Sequence, residues 1–184
     1  LFKDFIPLHY DLGGLDQLWE GASRPGHFQG VVNVVERLFQ YVRPDVAIFG
    51  EKDRQQLAII RHAAKQLHWP LEVMSHPILR ADDGLALSSR NLRLSREERS
   101  LASTLYRALQ AVRAKAFRSS VNETVQTGMS VLGGSPKIKL DYLAIVHPET
   151  LRPLKNWEEI DTAIALIAAQ VGPVRLIDNI TLGR

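Results

Sequence analysis

Cysteine is absent from this chain of 184 residues, which removes disulfide frameworks, thiolate zinc sites and a cysteine nucleophile in one step. It does not fix the compartment. Aromatic residues make up only 7%, and neither sign of charge dominates: 23 Lys and Arg against 20 Asp and Glu give a net of only +3. The positive charges are scattered, with no Lys/Arg-rich run and no aromatic interleaving, so no nucleic-acid partner is expected. No stretch approaches the roughly 18 to 20 apolar residues of a spanning helix. The opening LFKDFIPLHYDLGG is interrupted by Lys3, Asp4 and His9, so neither a membrane segment nor a secretory signal is expected and the cytoplasm is the default. Six histidines are present, but they show no paired ligand spacing, and no residue is assigned to a metal. The patterns G-x-x-x-x-G-K-[ST], G-x-G-x-x-G and G-x-S-x-G are also missing, which argues against P-loop, dinucleotide-binding and α/β-hydrolase chemistry.

What is present is ordinary globular material: 45% hydrophobic residues, 12 Gly and 9 Pro, enough to bury a core. From Phe28 to Val42, the apolar residues Val31, Val34, Val35, Leu38, Phe39 and Val42 fall at helical spacing. Arg43-Pro44 disfavours further helix, and Asp45 to Phe49 reads as a short, nearly all-apolar strand of the buried parallel kind, ended by Gly50. Gln55 to Leu67 returns to helical spacing, and Leu71 to Met74 is a second short strand. This alternation of helix and strand predicts a parallel, doubly wound α/β sheet with ligands outside the carboxyl ends of the strands.

Past His76-Pro77 the texture becomes turn-rich, and a domain boundary is placed near Asn91. Ser95 to Glu98 forms a capping box that opens a helix through Val112. A second helix from about Asn122 ends before Gly133. Three strands follow, Ile138 to Val146, Thr162 to Ala169 and Val174 to Asn179, separated by His147-Pro148 and Gly172-Pro173. Residues 91–184 are thus expected to form a small α+β domain after a parallel-sheet domain over 1–90.

The strongest candidate for chemistry is Phe49 to Gln56, where a strand meets a helix start. Such a junction offers free amides and the positive end of a helix dipole, which suit anions. Gly50 lets a ligand approach the backbone, Lys52 supplies a mobile positive charge, and Gln56 carries both donor and acceptor one turn later. Spacing leaves a second reading open, in which Asp53 caps the helix and Lys52 is a solvated surface residue. Leu87 to Asn91 offers two hydroxyls and a guanidinium that can wrap a phosphate, although an ordinary Ser-rich interdomain turn looks the same. His27, in Arg24 to Phe28, stands at a helix entry, where capping or packing is the commoner role.

Taken in order and spacing, EGASRPGHFQGV, RPDVAIFGEKDRQQL and ADDGLALSSRN resemble the pantothenate synthetase family, the pantoate beta-alanine ligases, and the resemblance runs from about Leu15 through the terminal VRLIDN. It implies a nucleotidyltransferase-like Rossmann domain followed by a smaller C-terminal domain. It also implies a reaction in which ATP and pantoate form an enzyme-bound pantoyl adenylate with release of pyrophosphate, after which beta-alanine displaces AMP, with magnesium required. The residues implied to bind ATP are Gly50, Glu51, Lys52, Asp53, Leu79, Leu87, Ser88, Ser89 and Arg90. Within that set, Gly50 and Asp53 lie against the ribose, Lys52 lies against the phosphates and Leu79 meets adenine through its backbone. Leu87 to Arg90 would form a closing phosphate loop. Lys52, Ser88, Ser89 and Arg90 are the expected catalytic set, and Gln56 the pantoate ligand. The resemblance further implies a homodimer at full length and small-molecule partners only.

The family's N-terminal H-x-G-H element does not occur in this sequence, and His27 in RPGHF belongs to a different motif. The chain is therefore expected to be the C-terminal two-thirds of a synthetase, inactive in isolation. The competing expectations are a non-catalytic nucleotide-binding or interaction module derived from the same fold, and a different adenylyl-transferring enzyme, against which the GEKD-x-QQ and LSSRN pair argues.

Overall fold

The structure, a computed structural model, describes residues 5–133, 136–158 and 160–184. Two compact units divide the chain, Leu1–Pro77 and Ile78–Arg184. In the first, a short helix α1 (Trp19–Ser23) precedes α2 (His27–Val42), which enters from a left-handed Gly26 and leaves through a left-handed Arg43 directly before Pro44. Strand β1 (Val46–Gly50) follows at once, and a single turn, Glu51–Asp53, leads into α3 (Arg54–Gln66). Strand β2 (Glu72–His76) then runs parallel to β1, with Val46 opposite Glu72 and Gly50 opposite His76. This is the expected β-α-β order, with each strand one or two residues later than its apolar run.

Two expectations about burial are corrected. Strand β1 reads as covered on both faces, but its residues alternate: Val46 and Ile48 are exposed, Ile48 to 66%, while Ala47 and Phe49 are half-buried. Among the described residues β1 and β2 make up the whole sheet of this unit, and so small a sheet leaves one face open. In α2 the buried residues are Phe28, Val32 and Asn33, whereas Val34, Leu38 and Val42 are exposed. The helix is apolar on two sides, and periodicity does not say which side is covered.

Asn33 shows why a polar residue won a buried place. Its amide accepts from the Leu8 N–H and donates to the Leu8 carbonyl, both at 2.8 Å. One turn earlier Gln29 does the same to Tyr10, at 3.0 and 2.9 Å. Four helical residues rise about 6 Å, close to the repeat of two extended residues, so the two amides serve as a surrogate strand for the entering chain. Burial, then the Glu36 carboxylate to which its hydroxyl donates at 2.5 Å, hold the Tyr10 phenol above the ordinary tyrosine range.

The second unit packs α4 (Arg96–Lys115) and α5 (Val121–Leu132) with an antiparallel meander of β3 (Ile138–Val146), β4 (Thr162–Val171) and β5 (Val174–Gly183). Strand β3 has its predicted bounds, β4 and β5 extend past their predicted ends, and Gly172-Pro173 make the two-residue turn between the paired Val171 and Val174. Both helices open on capping boxes, Ser95 with Glu98 as expected and Ser120 with Glu123 in addition. The core joins Leu105, Leu109 and Val112 of α4 to Ile167 and to Ala163, Ala165 and Ala169 of β4, and the small alanine side chains leave room for the helix. The fold class is α/β, a parallel sheet with helices followed by a small domain with an antiparallel sheet.

Candidate active site

The C-terminal end of β1 delivers Gly50, Glu51, Lys52 and Asp53 in sequence to the start of α3. At Gly50 no atom lies within 4 Å of where a Cβ would stand, so the backbone there is open to a ligand. Asp53 occupies the helix N-cap position but makes no capping hydrogen bond, which removes the capping alternative for it. The Lys52 ammonium stands 3.6 Å from the Asp53 carboxylate, and the Lys52 side chain is only 16% exposed. The solvated-surface reading of Lys52 is therefore corrected: its stem packs while its head group reaches the junction, as long basic side chains commonly do. Glu51 faces the other way, accepting from Ser75 Oγ on β2 at 3.1 Å and from Arg54 at 3.4 Å. Burial holds the Arg54 guanidinium below its ordinary value, with Glu51 pulling in the opposite direction.

The two glutamines at the head of α3 divide the work. Gln55 is buried; its Nε2 donates to the Leu15 and Leu18 carbonyls at 2.6 and 2.8 Å, and its Oε1 accepts from the Glu20 N–H at 3.0 Å. It brackets the Leu15–Glu20 segment onto the helix. Gln56 is half-buried and its amide forms no hydrogen bond among the described residues, so donor and acceptor are both available at the junction. Sequence reasoning missed Gln55, and the doublet was the only signal that one of the pair could be structural.

In the second unit, Leu79 and Leu87 are brought together as the ends of a hairpin in which the Leu87 N–H donates to the Leu79 carbonyl at 2.9 Å. Ser88 follows and its Oγ accepts from the Arg90 N–H at 3.2 Å, closing a turn that continues as a 3-10 helix over Ser89–Arg93. Ser89 and Arg90 are exposed. Asn91 secures the loop by donating from Nδ2 to the Ala86 carbonyl at 3.0 Å. Sequence reasoning also missed Arg80 and Asp178, whose guanidinium and carboxylate meet at 2.7 and 3.0 Å across 98 residues; no local pattern announces such a pair. Asp83, on the same hairpin, is held below the ordinary carboxylate value chiefly by its hydrogen bonds from Arg99. No group of three His, Asp or Glu able to hold a metal forms among the described residues.

At the end of a parallel strand the chain thus sets an open glycine and a half-buried lysine before a helix start, in an α/β unit. The family model of the pantoate-beta-alanine ligases matches residues 3–181. Pantothenate synthetase of Thermus thermophilus is 52% identical over 169 residues, 91% of this chain and 60% of the relative; that of Bacteroides fragilis is 46% identical over 166 residues, 90% and 59%. Among solved structures, pantothenate synthetase from Thermus thermophilus matches with a TM-score of 0.88 at 51% identity, over 91% of this chain and 60% of that one. Pantoate-beta-alanine ligase from Francisella tularensis, complexed with beta-gamma ATP and beta-alanine, matches with a TM-score of 0.69 at 29% identity, over 96% and 58%. The chain belongs to the pantoate-beta-alanine ligase family. It spans about 60% of the length of the curated relatives it matches. No helix among the described residues is long and apolar enough to cross a membrane.

Proposed function

We propose that this chain is the C-terminal part of a pantothenate synthetase, an ATP-dependent ligase that joins pantoate to beta-alanine through a pantoyl adenylate and releases AMP and pyrophosphate. The observation that carries the proposal is the Gly50 to Gln56 junction, with its open glycine, packed lysine and available amide at the end of a parallel strand, in a chain about half identical to named synthetases.

In the first step a pantoate carboxylate oxygen attacks the α-phosphorus of ATP, and the bond to the bridging oxygen of pyrophosphate breaks. Negative charge builds on the departing oxygens, and fixed cations are the groups that meet it at least reorganisation cost. Lys52 serves there, and Ser88, Ser89 and Arg90 donate to the triphosphate, Arg90 through a fork that does not deprotonate. Gly50 and Asp53 line the ribose, Glu51 holds the junction onto β2 through Ser75, and Leu87 flanks the loop. Leu79, whose carbonyl accepts from the Leu87 N–H, meets adenine through its backbone. Gln56 orients pantoate with its two-sided amide. In the second step the beta-alanine amine attacks the acyl carbon and AMP leaves. Neither step needs a protein nucleophile; positioning supplies the entropy that a three-substrate reaction would otherwise lose. Magnesium accompanies the nucleotide, and the protein acts in the cytoplasm as a homodimer at full length.

The test is a ligase assay on two proteins. The whole protein carrying this chain forms pantothenate in strict dependence on ATP, pantoate and beta-alanine, while the 184-residue chain in isolation turns over negligibly. ADP as the product, or no dependence on beta-alanine, overturns the proposal; turnover by the isolated chain comparable to an intact synthetase overturns its being a part.

A further inference from the structure

Arg80 is the second residue of the Leu79–Leu87 hairpin, and its guanidinium gathers three elements of the second unit. Nη1 donates to the Gly84 carbonyl at 2.9 Å and to Asp178 Oδ2 at 2.7 Å; Nη2 donates to Asp178 Oδ1 at 3.0 Å and to the Asn179 carbonyl at 3.1 Å. Its Cζ stands 4.2 Å from the centroid of the Tyr106 ring on α4. One side chain thus ties the hairpin's own turn to β5 and to α4. The Arg80 side chain is 18% exposed and that of Asp178 3%.

Stability does not require this arrangement. Taking two charges out of water costs about as much as their attraction returns, and an apolar pair of similar volume would hold the hairpin as well. What the fork supplies is direction: two parallel bonds to one carboxylate fix the guanidinium plane, and two carbonyl contacts fix its rotation. Gly84 completes the device. Its φ of +86° is left-handed, and a Cβ there would lie 2.0 Å from the Tyr106 ring, so the turn seats the ring against the guanidinium. The other ion pair to this hairpin, Asp83 with Arg99, is a third or more exposed on both sides and is screened by solvent.

The ends of the hairpin are Leu79 and Leu87, bonded to each other, and Ser88, Ser89 and Arg90 follow directly. We propose that Arg80, oriented by Asp178, is a positioning residue for the phosphate loop Leu87 to Arg90: it touches no reacting atom and sets where that loop stands relative to the Leu79 backbone. The inference rests on the proposed ATP-binding role of these residues.

Two variants remove the fork while keeping size and polarity, R80K and D178N, and R99Q cuts the exposed tie for comparison. By hydrogen exchange on the 184-residue chain, the Leu87 and Arg90 amides in R80K and D178N speed up about tenfold more than the amide of Leu109 in the core of α4 does, and R99Q changes none of them. In the whole synthetase the same two variants raise the KM for ATP about tenfold and leave the KM values for pantoate and beta-alanine within about twofold. Should either variant fail to fold, the apolar double variant R80M/D178L restores a packed pair without the fork and shows the same ATP-selective loss. Unchanged exchange at Leu87 and Arg90 overturns the positioning role. Faster exchange with an unchanged KM for ATP, or equal losses for all three substrates, overturns its connection to the nucleotide. A wild-type whole protein without ATP-dependent ligation overturns the functional proposal itself, and exchange still decides whether Arg80 sets the loop.

Discussion

The side-chain amide of Gln55 donates to the backbone carbonyl of Leu15, 40 residues earlier in the chain, at 2.6 Å. It also serves Leu18 and Glu20, while the neighbouring Gln56 serves no described residue. Gln55→Ala removes three hydrogen bonds, although the Leu18 carbonyl keeps its bond from the Ala22 N–H, and the expected loss is about 1 to 3 kcal/mol in urea unfolding. Gln56→Ala changes stability by less than about 0.5 kcal/mol and, in the whole protein, raises the KM for pantoate more than that for ATP. The same effect on both substrates would instead mean a disrupted helix start.

Lys52→Ala removes a charge-assisted contact to phosphate that on general grounds is worth about 1.5 to 3 kcal/mol, or about ten- to a hundredfold in ATP use. The side chain packs but its ion pair with the half-exposed Asp53 is loose, so unfolding free energy should move by less than about 1 kcal/mol. Wild-type kinetics in the variant would show that the ammonium does not face the nucleotide.

Gly128 tests packing between α5, α4 and β3. Replacing a mid-helix glycine with alanine gains about 1 kcal/mol of propensity. Here a Cβ would meet Val112 Cγ2 at 2.6 Å and Leu143 Cδ2 at 2.7 Å, and overpacking costs about 1 to 3 kcal/mol. The clash wins, and Gly128→Ala lowers the thermal midpoint. A higher midpoint would mean that Val112 and Leu143 give way freely.

The elements of this fold were legible where local chemistry decides them. Arg43-Pro44 ended α2, Ser95 with Glu98 opened α4, and Gly172-Pro173 turned β4 into β5. What was not legible depends on what lies across the fold. The exposed Val34 and Ile48 look no different in sequence from the buried Val32 and Ile60, because periodicity reports an apolar face and not the partner that covers it. At the candidate site, the strand-helix junction is local and was read from spacing, whereas the roles of Leu79 and Leu87 to Arg90 came from family resemblance. The Arg80–Asp178 pair spans 98 residues, and one sequence without an alignment carries no signal for it.

Acid should weaken the second unit in a definite window. The carboxyl groups of Glu98 and Glu123 are held below their ordinary value of 4.5, Glu98 first by the Ser95 backbone N–H and Glu123 first by the Ser120 hydroxyl. Asp83 is held below 3.8, first by its hydrogen bonds from Arg99. A depressed folded pKa means that the unfolded chain binds protons first as pH falls. The stabilisation is therefore complete above the ordinary values and is lost as pH drops through the folded ones. The thermal midpoint should be level from pH 7 to about 5 and fall below that. The double variant E98Q/E123Q should start lower and fall less steeply, and an equally steep fall would assign the acid sensitivity to other groups.

The central claim, that the whole protein carrying this chain activates pantoate as an acyl adenylate, is tested most directly by labelling both carboxylate oxygens of pantoate with oxygen-18 and following the label by mass spectrometry. The carboxylate oxygen that attacks the α-phosphorus stays with the phosphate when the amine displaces it, so AMP should carry one labelled oxygen per turnover and pantothenate should retain the other as its amide carbonyl. Unlabelled AMP, or label appearing in inorganic phosphate alongside ADP, would contradict the account.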